Sequence, residues 1–211
     1  MPPRADLLEQ LSALTTALRT ARTLEEGLGL MLTATIELVK ADFGNIQLRV
    51  PGTDTLRIAA HHGFSPAFLE TFREVSVREP SACGRALASH SRVVIEDVEQ
   101  DEPYAPYRQL ARAQGYRAVQ STPLVGTNGD LLGMISTHTR APGRPDAEAL
   151  HCLDLYVGHA VAFIERIRAE AARARAELRQ HELLAASLAA EAEATRRRAE
   201  LAAALEAMAD A

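Results

Sequence analysis

Cys83, in the run Ser81-Ala82-Cys83-Gly84, and His138, in Ser136-Thr137-His138-Thr139, are the side chains in this sequence best suited to chemistry. A cysteine in the first turn of a helix sits where aligned backbone dipoles favour the thiolate, which would make Cys83 redox-sensitive or a reactive pocket group. The plainer role is that of a small buried hydrophobe. A histidine near a strand end can contact a ligand or coordinate haem, although most lone histidines on strands simply hydrogen-bond within the protein. His61 and His62 are adjacent, so on a strand they point to opposite faces and cannot chelate one metal together. No His/Cys/Asp/Glu set has the spacing of a zinc site. No Ser-His-Asp arrangement, phosphate-cradling glycine loop or kinase signature occurs either. The expectation is a chain with no metal site and no catalytic residue.

A second group of charged residues, Glu96, Asp97, Glu99, Asp101 and Glu102, would attract a cation or a basic ligand, or else form a solvated loop. Tyr104, Pro106, Tyr107 and Arg108 follow it. They are candidates for a lid, with Arg108 available to an anionic ligand.

These residues need elements to position them. Apolar residues recur at helical spacing at Leu7, Leu11, Leu14 and Leu18, and again at Leu28, Met31, Leu32, Ile36 and Val39. Thr23 with Glu26 forms a capping box between the two runs. Residues 45–50 and 55–61 alternate around Pro51-Gly52-Thr53-Asp54, a hairpin. Residues 66–72 and 82–89 read as short helices, 92–95 as a brief buried strand, and 107–114 as a helix stopped by Gly115. Residues 118–125 and 131–138 form a second hairpin around Asn128-Gly129. After Pro145 the sequence turns helical and stays so. The order predicts an α+β fold: an antiparallel sheet of five or six strands, terminal helices on one face, and residues 65–114 folded over the other to enclose a cavity.

Polarity within the strands suggests which side chains face that cavity. Asn45 and Gln47, Gln120 and Thr122, and Ser136 and His138 keep one parity, while Ile46, Leu48, Val119 and Ile135 take the other. The polar set is assigned to a ligand cavity, because hydrogen-bonding groups packed on helices cost free energy unless paired. A solvated sheet face is the alternative. Phe64, Phe68, Leu69, Phe72, Leu87 and Leu110 need burial and argue for a cover. The ligand-binding candidates are therefore Asn45, Gln47, Cys83, Tyr104, Tyr107, Arg108, Gln120, Thr122, Ser136 and His138.

Composition narrows the class. With 23 Lys+Arg against 28 Asp+Glu, the formal charge is -5 and offers no basic excess for a phosphate backbone, so nucleic acid is not an expected partner. Two cysteines, no secretory leader and no run of about 18 uninterrupted apolar residues predict a cytoplasmic, reduced chain that does not span a membrane.

Residues 40–140 resemble a GAF domain, and specifically those placed ahead of bacterial sensor histidine kinases. The resemblance is carried by Ala41-Asp42-Phe43-Gly44-Asn45-Ile46-Gln47-Leu48, Ala60-His61-His62-Gly63-Phe64, Ser81-Ala82-Cys83-Gly84-Arg85-Ala86-Leu87, Val94-Ile95-Glu96-Asp97-Val98, Gln120-Ser121-Thr122-Pro123-Leu124, and 129–138. In phytochrome-like GAF domains a histidine matching His138 lines the bilin pocket. Pro106 stands where the plant and cyanobacterial types carry their bilin-linking cysteine, and no cysteine precedes Cys83, so no covalent cofactor is implied. A GAF-type free methionine sulfoxide reductase carries a cysteine in a segment similar to Ala82-Cys83-Gly84. It also needs a partner thiol, and Cys152 falls in the terminal helix. The resemblance implies a sensory module with an unidentified small-molecule ligand, or a ligand-free dimerisation module; a thiol enzyme fits least well.

The terminal helix carries a heptad: Leu150, Val157, Ile164, Ala171 and Leu178 at one core position, with Leu153, Ala160, Ile167, Ala174, His181 and Leu188 at the other. Leu150, Leu153, Val157, Ile164, Ile167, Ala171 and Leu178 are thus the expected homodimer interface, with Leu201, Leu205 and Met208 one residue out of frame. His181-Glu182-Leu183 is similar to the start of a phosphoacceptor box but lacks its Asn/Thr-Pro. Residues 204–211 resemble the lead-in to a PAS domain, so a downstream PAS or kinase domain is expected in cis. The expected organisation is a dimerisation helix at 1–22, a GAF domain at 23–165 and a coiled-coil signalling helix at 166–211.

Overall fold

Thr23 breaks the N-terminal helical run. In the computed structural model, which describes residues 4–209, it caps the second of two helices, α1 (Arg4–Thr20) and α2 (Leu24–Val39). Its hydroxyl accepts from the Glu26 amide at 3.2 Å, and the Glu26 carboxylate accepts from the Arg22 amide at 3.0 Å. This is the predicted capping box shifted by one residue on its return bond. The expected helix positions Leu7, Leu201 and Leu205 lie outside the residues whose side chains are described, as does the end of the 204–211 segment.

Six strands follow the helices: β1 (Phe43–Arg49), β2 (Thr55–His62), β3 (Glu74–Ser76), β4 (Val93–Ile95), β5 (Ala118–Val125) and β6 (Leu131–Thr139). They form one antiparallel sheet in the order β3-β2-β1-β6-β5-β4. β3 was not foreseen, because three residues between a helix and a turn carry no readable alternation. Between β2 and β5 come α3 (Pro66–Thr71), α4 (Ala82–Ser89), a 3-10 turn (Glu102–Tyr107) and α5 (Arg108–Gln114). Pro123 is tolerated in β5 because β4 pairs only with residues 119–121, leaving the proline beyond the reach of that ladder.

Two cores lie on the two faces of the sheet. On one, Leu14 and Leu18 of α1 and Leu28, Met31 and Leu32 of α2 pack with Ile46, Leu124 and Ile135. They are joined by Leu153, Tyr156, Ala160, Phe163 and Ile164 of α6 (Ala147–Ala209). Arg166 donates to the carbonyls of Leu18 and Ala21 at 3.0 and 3.2 Å, closing the end of α1. Gly27 lets α2 approach α6 closely: a β-carbon there would lie 1.9 Å from the Phe163 ring. On the other face, Phe64, Phe68, Phe72, Cys83, Leu87 and Tyr104 pack over Phe43, Val119 and Met134.

The heptad assignment requires correction. Leu153 and Ile164 are fully buried and Leu150 is 9% exposed, all within the first core, so these three are used inside one chain and cannot form a seam with a second copy. Val157 and Ile167 are partly buried against the same core. A helix packed on a sheet and a coiled-coil strand share the same three-to-four spacing, which is why the sequence did not separate them. Residues 168–211 form a second unit, helical through Ala209, in which Ala171, Ala174 and Leu178 are exposed. Within Ala147–Glu200 an 18-residue window reaches a mean hydropathy of 1.2, enough by length and composition to cross a bilayer; a third of it is buried in the fold, as in the core helix of a globular domain.

Leu153→Ala is expected to lower unfolding free energy by about 2–5 kcal/mol in urea titrations. Leu178→Ala, measured at a concentration where the chain is monomeric, is expected to change it by less than about 0.5 kcal/mol.

Candidate functional site

Strand register fixes which side chains meet. Phe43 pairs with His138, Asn45 with Ser136 and Gln47 with Met134 across β1 and β6, while Val119 pairs with His138 and Ser121 with Ser136 across β5 and β6. Paired residues share a face. Asn45, Gln47, Ser136 and His138 therefore lie together as predicted, under α3, α4 and the 3-10 turn. Gln120 and Thr122 do not: they pair with Thr137 and Ile135 and face the terminal helices. Val119 and Ser121 take their place. Both β5 and β6 are buried on both faces, so neither shows the alternation on which the assignment rested.

The floor of this site is polar and its roof aromatic. The Ser81 hydroxyl caps α4 by accepting from the Gly84 amide at 3.2 Å. Gly84 is required there, since a β-carbon would lie 2.2 Å from the Glu79 carbonyl oxygen. The turn sets Cys83 over the sheet, with its sulfur 3.4 Å from Ser121 Oγ and 3.2 Å from Ser136 Oγ, and these hydroxyls lie 2.8 Å apart. Tyr104 and Tyr116 share a hydrogen bond of 2.8 Å between their hydroxyls. The His138 ring meets Phe64, Phe68 and Tyr116 edge to face, with centroids 5.0, 5.7 and 4.7 Å away. Gln47 Nε2 donates to the Phe72 carbonyl at 3.4 Å, tying floor to roof.

Three buried polar atoms on this floor have no partner within the protein: Asn45 Oδ1, Gln47 Oε1 and His138 Nδ1. The space left beside Asn45, Phe68, Phe72, Cys83, Tyr104 and His138 is about 10 Å³, room for one water at most. The roof packs directly on the floor.

Burial governs protonation. It pushes the Cys83 thiol above its ordinary value, outweighing the Ser121 and Ser136 hydrogen bonds that act the other way. The helix-start argument for a thiolate thus fails, because removal from water dominates the dipole. Burial also raises the Tyr104 and Tyr116 phenols and lowers His138 to about 3. At neutral pH the site therefore presents a thiol, two phenols and a neutral imidazole.

Tyr107 is half-buried at the edge, against Phe72 and Tyr104, with its hydroxyl donating to Glu79. Arg108 does not reach the cavity, because its guanidinium donates to the carbonyls of Val98 and Asp101 at 3.0 Å each. The acidic run is likewise spoken for. Asp97 holds Arg117 at 3.0 and 2.6 Å, Glu99 holds Arg112, Asp101 holds Arg85 at 2.9 Å, Glu102 meets Arg108 at 3.3 Å and Glu96 meets Arg144 at 3.6 Å. These carboxylates fasten the loop; among the described residues no His/Cys/Asp/Glu group is placed to hold a metal. Ser81, Val119, Ser121 and Tyr116 were missed as site residues. Only Tyr116, an aromatic directly after the Gly115 stop, carried a signal that could have found it.

The GAF domain family model matches residues 21–165. No functionally curated protein matches this chain in sequence. Among solved structures, a domain assigned to a two-component sensor histidine kinase of Sinorhizobium meliloti 1021 is 22% identical over 72% of this chain and 98% of that one, with a TM-score of 0.60. The GAF domain of a Coxiella burnetii phosphoenolpyruvate-protein phosphotransferase is 18% identical over 80% and 98%, with a TM-score of 0.68. Free methionine-R-sulfoxide reductase from Neisseria meningitidis is 16% identical over 81% and 95%, with a TM-score of 0.66.

Because the folded-state value of His138 lies below its ordinary 6.5, the unfolded chain takes up that proton first. Its contribution to stability is complete above pH 6.5 and is lost progressively as pH falls toward 3. Denaturant titrations between pH 6.5 and 4.5 are expected to show a loss approaching about 1.4 kcal/mol per pH unit that His138→Phe removes.

Proposed function

The chain belongs to the GAF domain family, and from that premise we propose that it is a sensory module of a signal-transduction protein, binding a small molecule between the sheet and the α3–α5 layer. The observation that carries this reading is the trio of unpartnered atoms, Asn45 Oδ1, Gln47 Oε1 and His138 Nδ1, on one buried floor. The Gln47 amide orientation follows from its bond to the Phe72 carbonyl, so its oxygen is an acceptor awaiting a donor. The ligand is a neutral molecule that donates hydrogen bonds and stacks on Phe68 and Phe72. Its entry requires the roof to lift, and the signal is the difference in its affinity for the open and closed arrangements.

Residues 23–165 are the sensing domain; helix 1–22, expected as a dimerising element, spends Leu14 and Leu18 on that domain's own core, which leaves 168–211 as the dimerising element. The exposed Ala171, Ala174, Leu178 and Leu188 form the seam of a parallel coiled coil leading to a PAS or histidine kinase domain in cis. The module works in the cytoplasm, bound to neither membrane nor nucleic acid, and catalyses nothing itself. A thiol enzyme similar to free methionine sulfoxide reductase needs a second thiol beside Cys83, and Cys152 packs in the core on the far side of the sheet. A second reading, a ligand-free dimerisation module, is favoured by the small volume left on the aromatic side.

Native mass spectrometry of the purified protein is expected to show a dimer retaining extra small-molecule mass that Asn45→Ala loses. A dimer without that mass would favour the second reading, and a monomer would overturn the coiled-coil account.

A further inference from the structure

We propose that the opposite face of the sheet holds a second binding site, for a small carboxylate-bearing molecule, in the groove between the β5 and β6 ends and the strap 140–145. This groove has a volume of about 370 Å³ and is lined by Lys40, Val94, Gln120, Thr137, Arg140 and Arg144 among others. It exists because α2 stops at Val39 and α6 starts at Ala147, leaving the last residues of the sheet without a helix over them. A bent segment with two prolines crosses there instead. Both sides of the strap are fastened. The Arg140 amide and Nε donate to Asp42 at 2.8 and 3.1 Å, and the Gly143 amide donates to the Glu96 carbonyl at 2.7 Å.

The floor supplies a donor whose direction is fixed. Gln120 is 2% exposed, and its Nε2 has no partner within the protein. Arg92 Nε donates to Thr122 Oγ1 at 2.7 Å. The Thr122 hydroxyl in turn donates to Gln120 Oε1, also 2.7 Å away. The amide's oxygen is thereby used and its NH₂ is not, and a buried donor of this kind is costly unless something accepts from it. Beside it stands Thr137, its cross-strand partner, whose hydroxyl makes no hydrogen bond among the described residues.

The rim selects charge. Lys40, Arg140 and Arg144 line the groove with one carboxylate, Asp42; Arg140 is paired with Asp42, and Arg144 lies 3.6 Å from Glu96. Lys40 has no ion pair among the described residues. A carboxylate accepting from Gln120 and Thr137 while facing these cations meets both needs, because hydrogen bonds to an ionised acceptor are the stronger kind. The aromatic site, by contrast, offers mainly acceptors and no cation, so the two sites take different chemistry.

The test is a titration of the full chain with citrate, followed by ¹H–¹⁵N correlation spectra that include the Gln120 side-chain NH₂. Saturable shifts of that NH₂ and of the amides of residues 118–120 and 137–140 are expected. Arg144→Ala, an exposed position, is expected to weaken binding at least threefold. Gln120→Glu keeps the oxygen that Thr122 needs but removes the donor, and is expected to abolish binding. Non-saturating shifts, or equal shifts with sodium chloride at matched ionic strength, would overturn the proposal. Saturable shifts at Asn45 and His138 instead would place the molecule in the aromatic site and overturn it, together with the neutral character assigned to that site's ligand, while leaving the site's sensory role standing.

Discussion

Everything in the GAF domain follows from a sheet whose strands β5 and β6 are covered on both sides. β5 and β6 are buried along nearly their whole length, so each polar side chain they carry must find a partner in one of two layers. Ser121 and Ser136 find each other and Cys83; Thr122 finds Arg92 and Gln120. The atoms that find nothing fall into two sets. Asn45, Gln47 and His138 lie under the aromatic layer, and Gln120 lies with Thr35 on the helical side. Where a two-sided sheet leaves such atoms is where a ligand gains most by arriving.

The two faces are closed by different means. On the helical side, long apolar residues from α1, α2 and α6 give an oily core, and the polar residues stay at the margin where the helices end. On the other side, short elements are held by arginine: Arg85, Arg112 and Arg117 pull the acidic loop onto α4, α5 and the start of β5. Ion pairs at a surface weaken with salt more than a buried core does. The aromatic cover is therefore the layer suited to lifting, and the helical layer the one suited to holding.

Much of this was legible in the sequence, and the exceptions share a cause. Thr23, the Asn128-Gly129 turn, Gly115 and the Phe64, Phe68, Phe72 spacing act locally, so they marked helices, hairpins and the roof correctly. The GAF resemblance gave the sheet and its two layers. Gln120 and Thr122 were placed on the wrong face because parity within a doubly buried strand is set by its neighbours, here β6 through the Ser121 to Ser136 pair. Cys83 was read from its helix, whereas its environment is the sheet beneath. Leu150, Leu153 and Ile164 obey a heptad that the domain's own core uses up.

That last point bears on how a signal would leave. The part of α6 that could report a change in the sheet is committed to the core through Leu153, Tyr156 and Ile164, so it moves only if the core moves with it. Arg92 supplies a polar link beside that apolar one. It stands just before β4, donates to Thr122 in the sheet and pairs with Asp154 on α6. A shift of β5 against the helices therefore strains a hydrogen-bonded connection as well as a packed one, and directional bonds tolerate such a shift less than side chains sliding within a core. A sheet joined to α6 in both ways transmits small displacements of its floor to that helix.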